Sequence, residues 1–146
     1  MKKVFLVLFI TATSLAPVYA QQSPSPKLQV NPKALNFILM GDWGRNGEDH
    51  QIPVAAQMGK VASAASVDFI VAAGDNFYPD GVASEFDPLW RYSFEDIYTS
   101  FSLQWDWYAV LGNHDYGGNP DAQVNYSKIS RRWRMPSRYY SKTFSL

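Results

Sequence analysis

Three short apolar runs organise the middle of the chain, and each ends on a polar loop that begins with glycine. Leu35 to Met40 is bounded by Pro32 and Gly41, Val67 to Ala73 ends at Gly74, and Trp107 to Leu111 ends at Gly112. Continuous apolar runs of this length predict buried, parallel-type strands. Between the first two, Gln51 to Ser66 carries Ile52, Ala55, Met58 or Gly59, Ala62 and Ala65 at helical spacing, with Pro53 tolerated in a first turn. Strand, helix, strand in this order is a βαβ unit, with a right-handed crossover expected. A second helix is predicted over Pro88 to Phe101, with Leu89, Trp90, Phe94, Ile97, Tyr98 and Phe101 on one face. Asp121 is the expected N-cap of a short helix from Ala122 to about Ile129. Arg138 to Phe144 alternates as a strand would, at an edge or antiparallel. The fold class is α/β.

The first residues change the picture of where the chain works. Lys2 and Lys3 precede an apolar stretch from Val4 to Ile10, and Val18-Tyr19-Ala20 places small residues for cleavage after Ala20. That run is too short for a bilayer span of about 20 apolar residues. Residues 1–20 therefore read as a signal peptide and 21–34 as a polar, proline-bearing linker. Export to the periplasm or beyond, from a bacterium, is expected. The 146 residues suffice for one domain with a core. Formal charge is zero and there is no cysteine. Thiolate metal sites and disulfides are excluded, and nothing in the charge draws the chain to nucleic acid or, after signal cleavage, to a membrane. Lys128, Arg131, Arg132, Arg134, Arg138 and Lys142 read as a solvated face that also protects a strand edge. The aromatic content of 16% reads as core and pocket wall.

The chemistry sits where the strands end. Gly41-Asp42-Trp43-Gly44, Gly74-Asp75-Asn76-Phe77-Tyr78 and Gly112-Asn113-His114-Asp115 each follow an apolar run. Ligands of open α/β sheets bind at the carboxyl ends of strands, so the three loops are expected to converge. Asp42, Asp75, Tyr78, Asn113 and His114 then form a candidate metal set. Carboxylate, amide and phenolate oxygens suit hard ions, and imidazole suits iron and zinc. Asp75, on the middle loop, is the natural bridge between two ions, which about 3.5–4 Å apart can clamp both oxygens of a phosphoryl displacement. Any one of these residues alone is more ordinarily a turn, cap or polar loop residue; the weight lies in three such motifs together. His50 reads as a solvated helix-start residue, and Glu48, Asp49, Asp80 and Asp87 as surface and capping residues.

These motifs resemble those of the calcineurin-like metallophosphoesterases, and within them the purple acid phosphatases of the small, tartrate-resistant type. The likeness runs from about Leu35 to the last residue and includes Asp42-Trp43-Gly44-Arg45, Asn76-Phe77-Tyr78, Gly112-Asn113-His114-Asp115-Tyr116 and Arg132-Trp133 with Pro136. Gly44 stands where the wider family has a histidine, and Tyr78 appears in the second motif, the exchange that marks the purple branch. The resemblance implies a two-sheet β-sandwich flanked by helices, an α+β sandwich truncated here to its first βαβ half, with residues 35–146 as the N-terminal part of the domain. It implies Fe(III) bound by Asp42 and Tyr78, Asp75 bridging to a second divalent ion (Fe, Zn or Mn), and Asn113 on that ion. His114 would hydrogen-bond the substrate phosphate or assist the leaving group. The implied activity is acid phosphatase: hydrolysis of a small phosphomonoester or phosphoprotein by a metal-bound hydroxide. The alternatives are a non-catalytic truncated remnant that binds metal weakly and a metallophosphodiesterase of the same superfamily.

The family pattern also has three later histidines, whereas His50 and His114 are the two in this sequence. The 146-residue chain by itself is therefore expected to bind the di-metal centre poorly and turn over little substrate. Assay of the iron-loaded chain with p-nitrophenyl phosphate at acid pH checks this; turnover matching that of a full-length relative contradicts it.

Overall fold

The computed structural model describes residues 30–31 and 33–144; the expected signal peptide and most of the linker lie outside them. Four strands form one sheet in the order β1-β2-β3-β4, all parallel: β1 Phe37–Met40, β2 Phe69–Ala72, β3 Trp107–Ala109 and β4 Trp133–Arg134. Helix α1, Gln51–Ala65, joins the first two strands. Helix α2, Pro120–Tyr126, precedes the last. The α/β architecture and its βαβ opening agree with expectation.

Side chains alternate across the sheet, and the two faces differ. The register places Ile38, Ile70, Trp107 and Trp133 in one row. Ile70, Trp107 and Trp133 are fully buried there. Around them gather Trp43, Phe77, Trp90, Phe94 and Tyr98, and the Trp43 ring lies within 5.4–6.3 Å of five other aromatic rings. Much of the aromatic content is thus core, while Phe86, Phe101, Trp105 and Tyr139 are among the aromatic residues left exposed. On the opposite face Phe37 and Leu39 are exposed, so β1 is an edge strand half open to solvent rather than the buried strand its apolar run predicts. Alternation cannot show this, because a one-sided and a two-sided apolar strand read alike when both faces are apolar.

Four further expectations are corrected. Pro88 to Phe101 is not one α-helix. It forms a π-helical turn, Trp90–Glu95, and then a separate 3-10 turn, Phe101–Leu103. The wide turn is closed by the Asp96 amide donating to the Arg91 carbonyl at 2.9 Å. The Arg132 guanidinium donates to the carbonyls of Phe94, Tyr98 and Leu103 at 2.7–3.2 Å, and the Gln104 side chain joins it on the Tyr98 carbonyl at 2.9 Å, so side chains satisfy that carbonyl where a next helical turn would have done so. Arg132 is itself only 2% exposed and pairs with Glu95, so it belongs to the core and not to a solvated basic face. Arg138 to Phe144 makes no strand. Its side chains anchor it instead: the Tyr140 hydroxyl donates to the Ala109 and Arg134 carbonyls, and Phe144 stacks on Phe69 at 4.4 Å. In α2 the N-cap is Asn119, whose side chain accepts from the Asp121 amide, with Pro120 in the first turn; Asp121 instead pairs with Arg138.

Arg132→Met should lower stability by about 2–4 kcal/mol, because it removes the buried cation paired with Glu95 and the charge-assisted hydrogen bonds to three carbonyls, each of which keeps at least one neutral donor. Urea unfolding at neutral pH followed by tryptophan fluorescence measures this, and a loss no larger than that of an exposed Arg131→Met change contradicts it.

Candidate metal centre

The three motif loops leave the carboxyl ends of β1, β2 and β3 and bond directly to one another. The Asp42 amide donates to the Gly74 carbonyl at 3.1 Å and the Trp43 amide to the Asp75 carbonyl at 3.2 Å. The Tyr78 amide returns to the Gly44 carbonyl at 2.9 Å. Such close backbone approach has a steric condition. A Cβ on Gly44 would collide with the Asn76 carbonyl oxygen and stand 3.1 Å from the Phe77 Cα. The position where the wider family places a histidine is therefore closed to any side chain here. A Cβ on Gly112 would likewise collide with the Asp75 carboxylate and amide.

This backbone lattice brings the oxygens together. The Tyr78 hydroxyl donates to Asp42 Oδ1 at 2.7 Å and lies 3.4 Å from Asp75 Oδ2. The other Asp75 oxygen accepts the His114 amide at 2.9 Å. Desolvation, the hydrogen bond to Asp42 and the nearby carboxylates push the Tyr78 phenol up to about 12, so it keeps its proton unless a cation takes that proton's place. The Arg45 guanidinium carbon lies over the Tyr78 ring, 3.6 Å from its centre, and the positive charge opposes that rise. The His114 ring packs 4.4 Å from the Tyr78 ring. Its Nδ1 lies 2.6 Å from the Pro79 carbonyl. A carbonyl only accepts, so Nδ1 carries the proton and Nε2 is left available. Asn113 is exposed and heads the 3-10 turn His114–Gly117 without capping it through its side chain.

Asp42 and Asp75 thus meet at the Tyr78 hydroxyl, His114 abuts Tyr78 and Asp75, and Asn113 is adjacent in the chain. Among the described residues no three His, Cys, Asp or Glu side chains gather to hold an ion by themselves. The cluster is two carboxylates completed by a phenol, and that all-oxygen chemistry fits a hard ion. His50 is exposed at the N-cap of α1, apart from these contacts. Asp49 pairs with Arg45, and Asp87 accepts the Ala83 and Leu89 amides, as surface and capping residues do.

Both carboxylates sit on strained backbone. Asp42 has φ 59° and Asp75 φ 50°, in the left-handed region. Non-glycine residues there cost free energy and concentrate at functional sites.

Sequence reasoning assigned no role to the residues that follow each ligand. Trp43, Asn76 and Asp115 are buried and joined: the Trp43 indole donates to the Asn76 side chain at 3.1 Å, and Asn76 donates to Asp115 through its amide at 3.0 Å. Their signal was present, since each lies inside a quoted motif, but burial is not legible in a loop.

The chain is a parallel α/β sheet protein with an acidic, tyrosine-bearing cluster at the carboxyl edge of the sheet. The calcineurin-like phosphoesterase family profile matches residues 35–146, and the chain belongs to that family. It is similar to purple acid phosphatase 17 of Arabidopsis thaliana, at 50% identity over 102 residues, covering 68% of this chain and 30% of the relative. It is also similar to tartrate-resistant acid phosphatase type 5 of Oryctolagus cuniculus, at 42% identity over 118 residues, covering 77% and 36%. Among solved structures, GAP50, described as the anchor in the inner membrane complex of Plasmodium, superposes with a TM-score of 0.66 at 33% identity, over 73% of this chain and 35% of that one. The chain thus spans about a third of the length of these relatives.

Asp42→Asn should leave stability unchanged or raise it by about 0.5–1 kcal/mol, since asparagine tolerates the left-handed conformation and one of two adjacent carboxylates is removed. Thermal unfolding without metal measures this; a clear loss of stability contradicts the strained-site reading.

Proposed function

We propose that this chain carries the metal-binding loops of an exported acid phosphatase, a phosphoric monoester hydrolase with a binuclear iron-containing centre. The observation that carries the reading is the Tyr78 hydroxyl in contact with both Asp42 and Asp75. Asp42 and Tyr78 would hold a ferric ion, Asp75 would bridge to a divalent ion, and Asn113 would bind the latter. Bound there, the ions supply Lewis acidity to the phosphoryl oxygens and acidify a water.

The chain's own residues prepare the rest. Asp75 presents one oxygen toward Tyr78 while the His114 amide holds the other, so its carboxylate plane is fixed between two loops. Tyr78 directs its proton at Asp42 Oδ1, and the same phenol oxygen would hold the ion. His114, oriented by Pro79, offers Nε2 to a phosphate oxygen or to the leaving group. Arg45, stacked on Tyr78, adds positive charge at the rim where a phosphate dianion would approach. Substrates of this site would be small phosphomonoesters or phosphoproteins. Among the described residues no helix is long and apolar enough to cross a membrane.

A second, non-catalytic reading has one observation in its favour: the solved relative is described as an anchor. Ion uptake separates the two. Ferric ion titrated into concentrated protein should produce a visible tyrosinate-to-iron absorption band that Tyr78→Phe abolishes. A band that survives in Tyr78→Phe removes the ligand assignment, and failure of the wild-type protein to take up either ion favours the non-catalytic reading.

A further inference from the structure

We infer that Asp115 is a positioning residue that locks the second and third motif loops together and thereby sets the geometry of Asp75 and His114. The inference rests on the reading of those two as site residues. Asp115 is fully buried, yet it bears a carboxylate. Burying a charge is costly unless it is fully hydrogen-bonded, and here it is. Its oxygens accept the amides of Asn76 at 3.0 and 3.1 Å, Phe77 at 3.2 Å and Gly112 at 2.8 Å. They also accept the side chains of Gln123 at 2.8 Å and Asn76 at 3.3 Å.

These partners are not scattered. The Asn76 and Phe77 amides belong to the loop that carries Asp75 and Tyr78. Gly112 opens the loop that carries Asn113 and His114. Gln123 lies on α2. Asn76 passes the linkage on, donating to the Val110 carbonyl and the Gln123 side chain and accepting from the Trp43 indole beside Asp42. Three of the exposed or half-exposed site residues, Asp42, Asp75 and His114, are thus each followed directly by a buried member (Trp43, Asn76, Asp115) of one polar network. Asp115 is its only formal charge and receives most of its donors. A carboxylate suits the task because it accepts at both oxygens and donates at neither. Asparagine, of equal size, would turn a donor toward at least one of the amides. The contact from the His114 amide to Asp75 depends on this register, because it spans the two loops that Asp115 ties.

The test is amide hydrogen exchange on metal-free wild type, Asp115→Asn and Leu103→Ala, the last a buried core truncation away from the motif loops. In Asp115→Asn the amides of Asn76, Phe77, Gly112 and His114 should exchange faster by on the order of tenfold or more relative to those of α1 and β2. Leu103→Ala should lower the melting temperature without singling out those four. Unchanged protection in Asp115→Asn, or equal deprotection in Leu103→Ala, overturns the inference. A ferric titration of the same proteins should show affinity about 10–100-fold weaker in Asp115→Asn, with the control near wild type. Equal affinity in Asp115→Asn overturns the positioning role. Absence of ferric binding by the wild type, with the exchange pattern as expected, leaves the lock standing and removes instead the reading of the site as a metal centre.

Discussion

The buried carboxylate of Asp115 is the constraint on which the site depends. Strand ends alone would deliver three loops to one edge of a sheet, with freedom of several ångströms among them. A charge without solvent removes that freedom, because leaving any of its hydrogen bonds unmade is expensive. The loops therefore close on Asp115, and their backbone amides are spent on it and on one another. The closure leaves no room for a side chain at Gly44 or Gly112, and it holds Asp42 and Asp75 in left-handed backbone conformations. Strain at the ligands and satisfaction at the residues just behind them are two sides of one arrangement. Preorganisation of this kind separates a cluster of oxygens from a site able to hold an ion in a defined geometry.

Behind the loops lies an aromatic core that the described residues complete on one face of the sheet. Trp43 is the hinge between the two regions. Its ring packs among Phe77, Phe94, Tyr98, Trp107 and Trp133, while its indole nitrogen enters the polar network through Asn76. Packing of the core and orientation of the loops are thereby coupled through one side chain. Arg132 does for the π-helical segment what Asp115 does for the loops. It is a buried charge that collects backbone groups of opposite polarity, here the carbonyls of Phe94, Tyr98 and Leu103. The opposite face is treated differently: Phe37 and Leu39 stay exposed, and Phe144 covers only the region of Phe69 and Tyr108.

Periodicity was informative wherever backbone hydrogen bonding is local or repetitive. The three apolar runs became strands, and Gln51–Ala65 became a helix with Ala55, Gly59, Ala62 and Ala65 buried. It failed where a distant side chain decides. Pro88 to Phe101 has a helical face of apolar residues, but Arg132, more than thirty positions away, donates to its carbonyls. Arg138 to Phe144 alternates, but its aromatic anchors hold it without a ladder. The two-residue strand Trp133–Arg134 has too little length to leave a periodic signal. The site followed the same division. That the loops carrying Asp42, Asp75, Tyr78, Asn113 and His114 converge was legible, because loops at the carboxyl ends of neighbouring parallel strands meet at one edge of the sheet. Asp115 and Asn76 stood in the same motifs without an assigned role, because a carboxylate in water and one buried under five donors are the same letter.

The sequence by itself determined the kind of chemistry and its location. Oxygen donors with one histidine fall at the ends of parallel strands, and that placement is where the proposed hard-ion chemistry would sit, because side-chain type and strand order are properties of the chain. Only the tertiary structure decided which groups meet. It placed the Tyr78 hydroxyl between Asp42 and Asp75, turned Arg45 onto the Tyr78 ring, and buried Asp115 and Arg132 as the charges that hold the loops and the π-helical turn. The reason is that burial and charge compensation arise among residues distant in sequence, and local propensity holds no record of them.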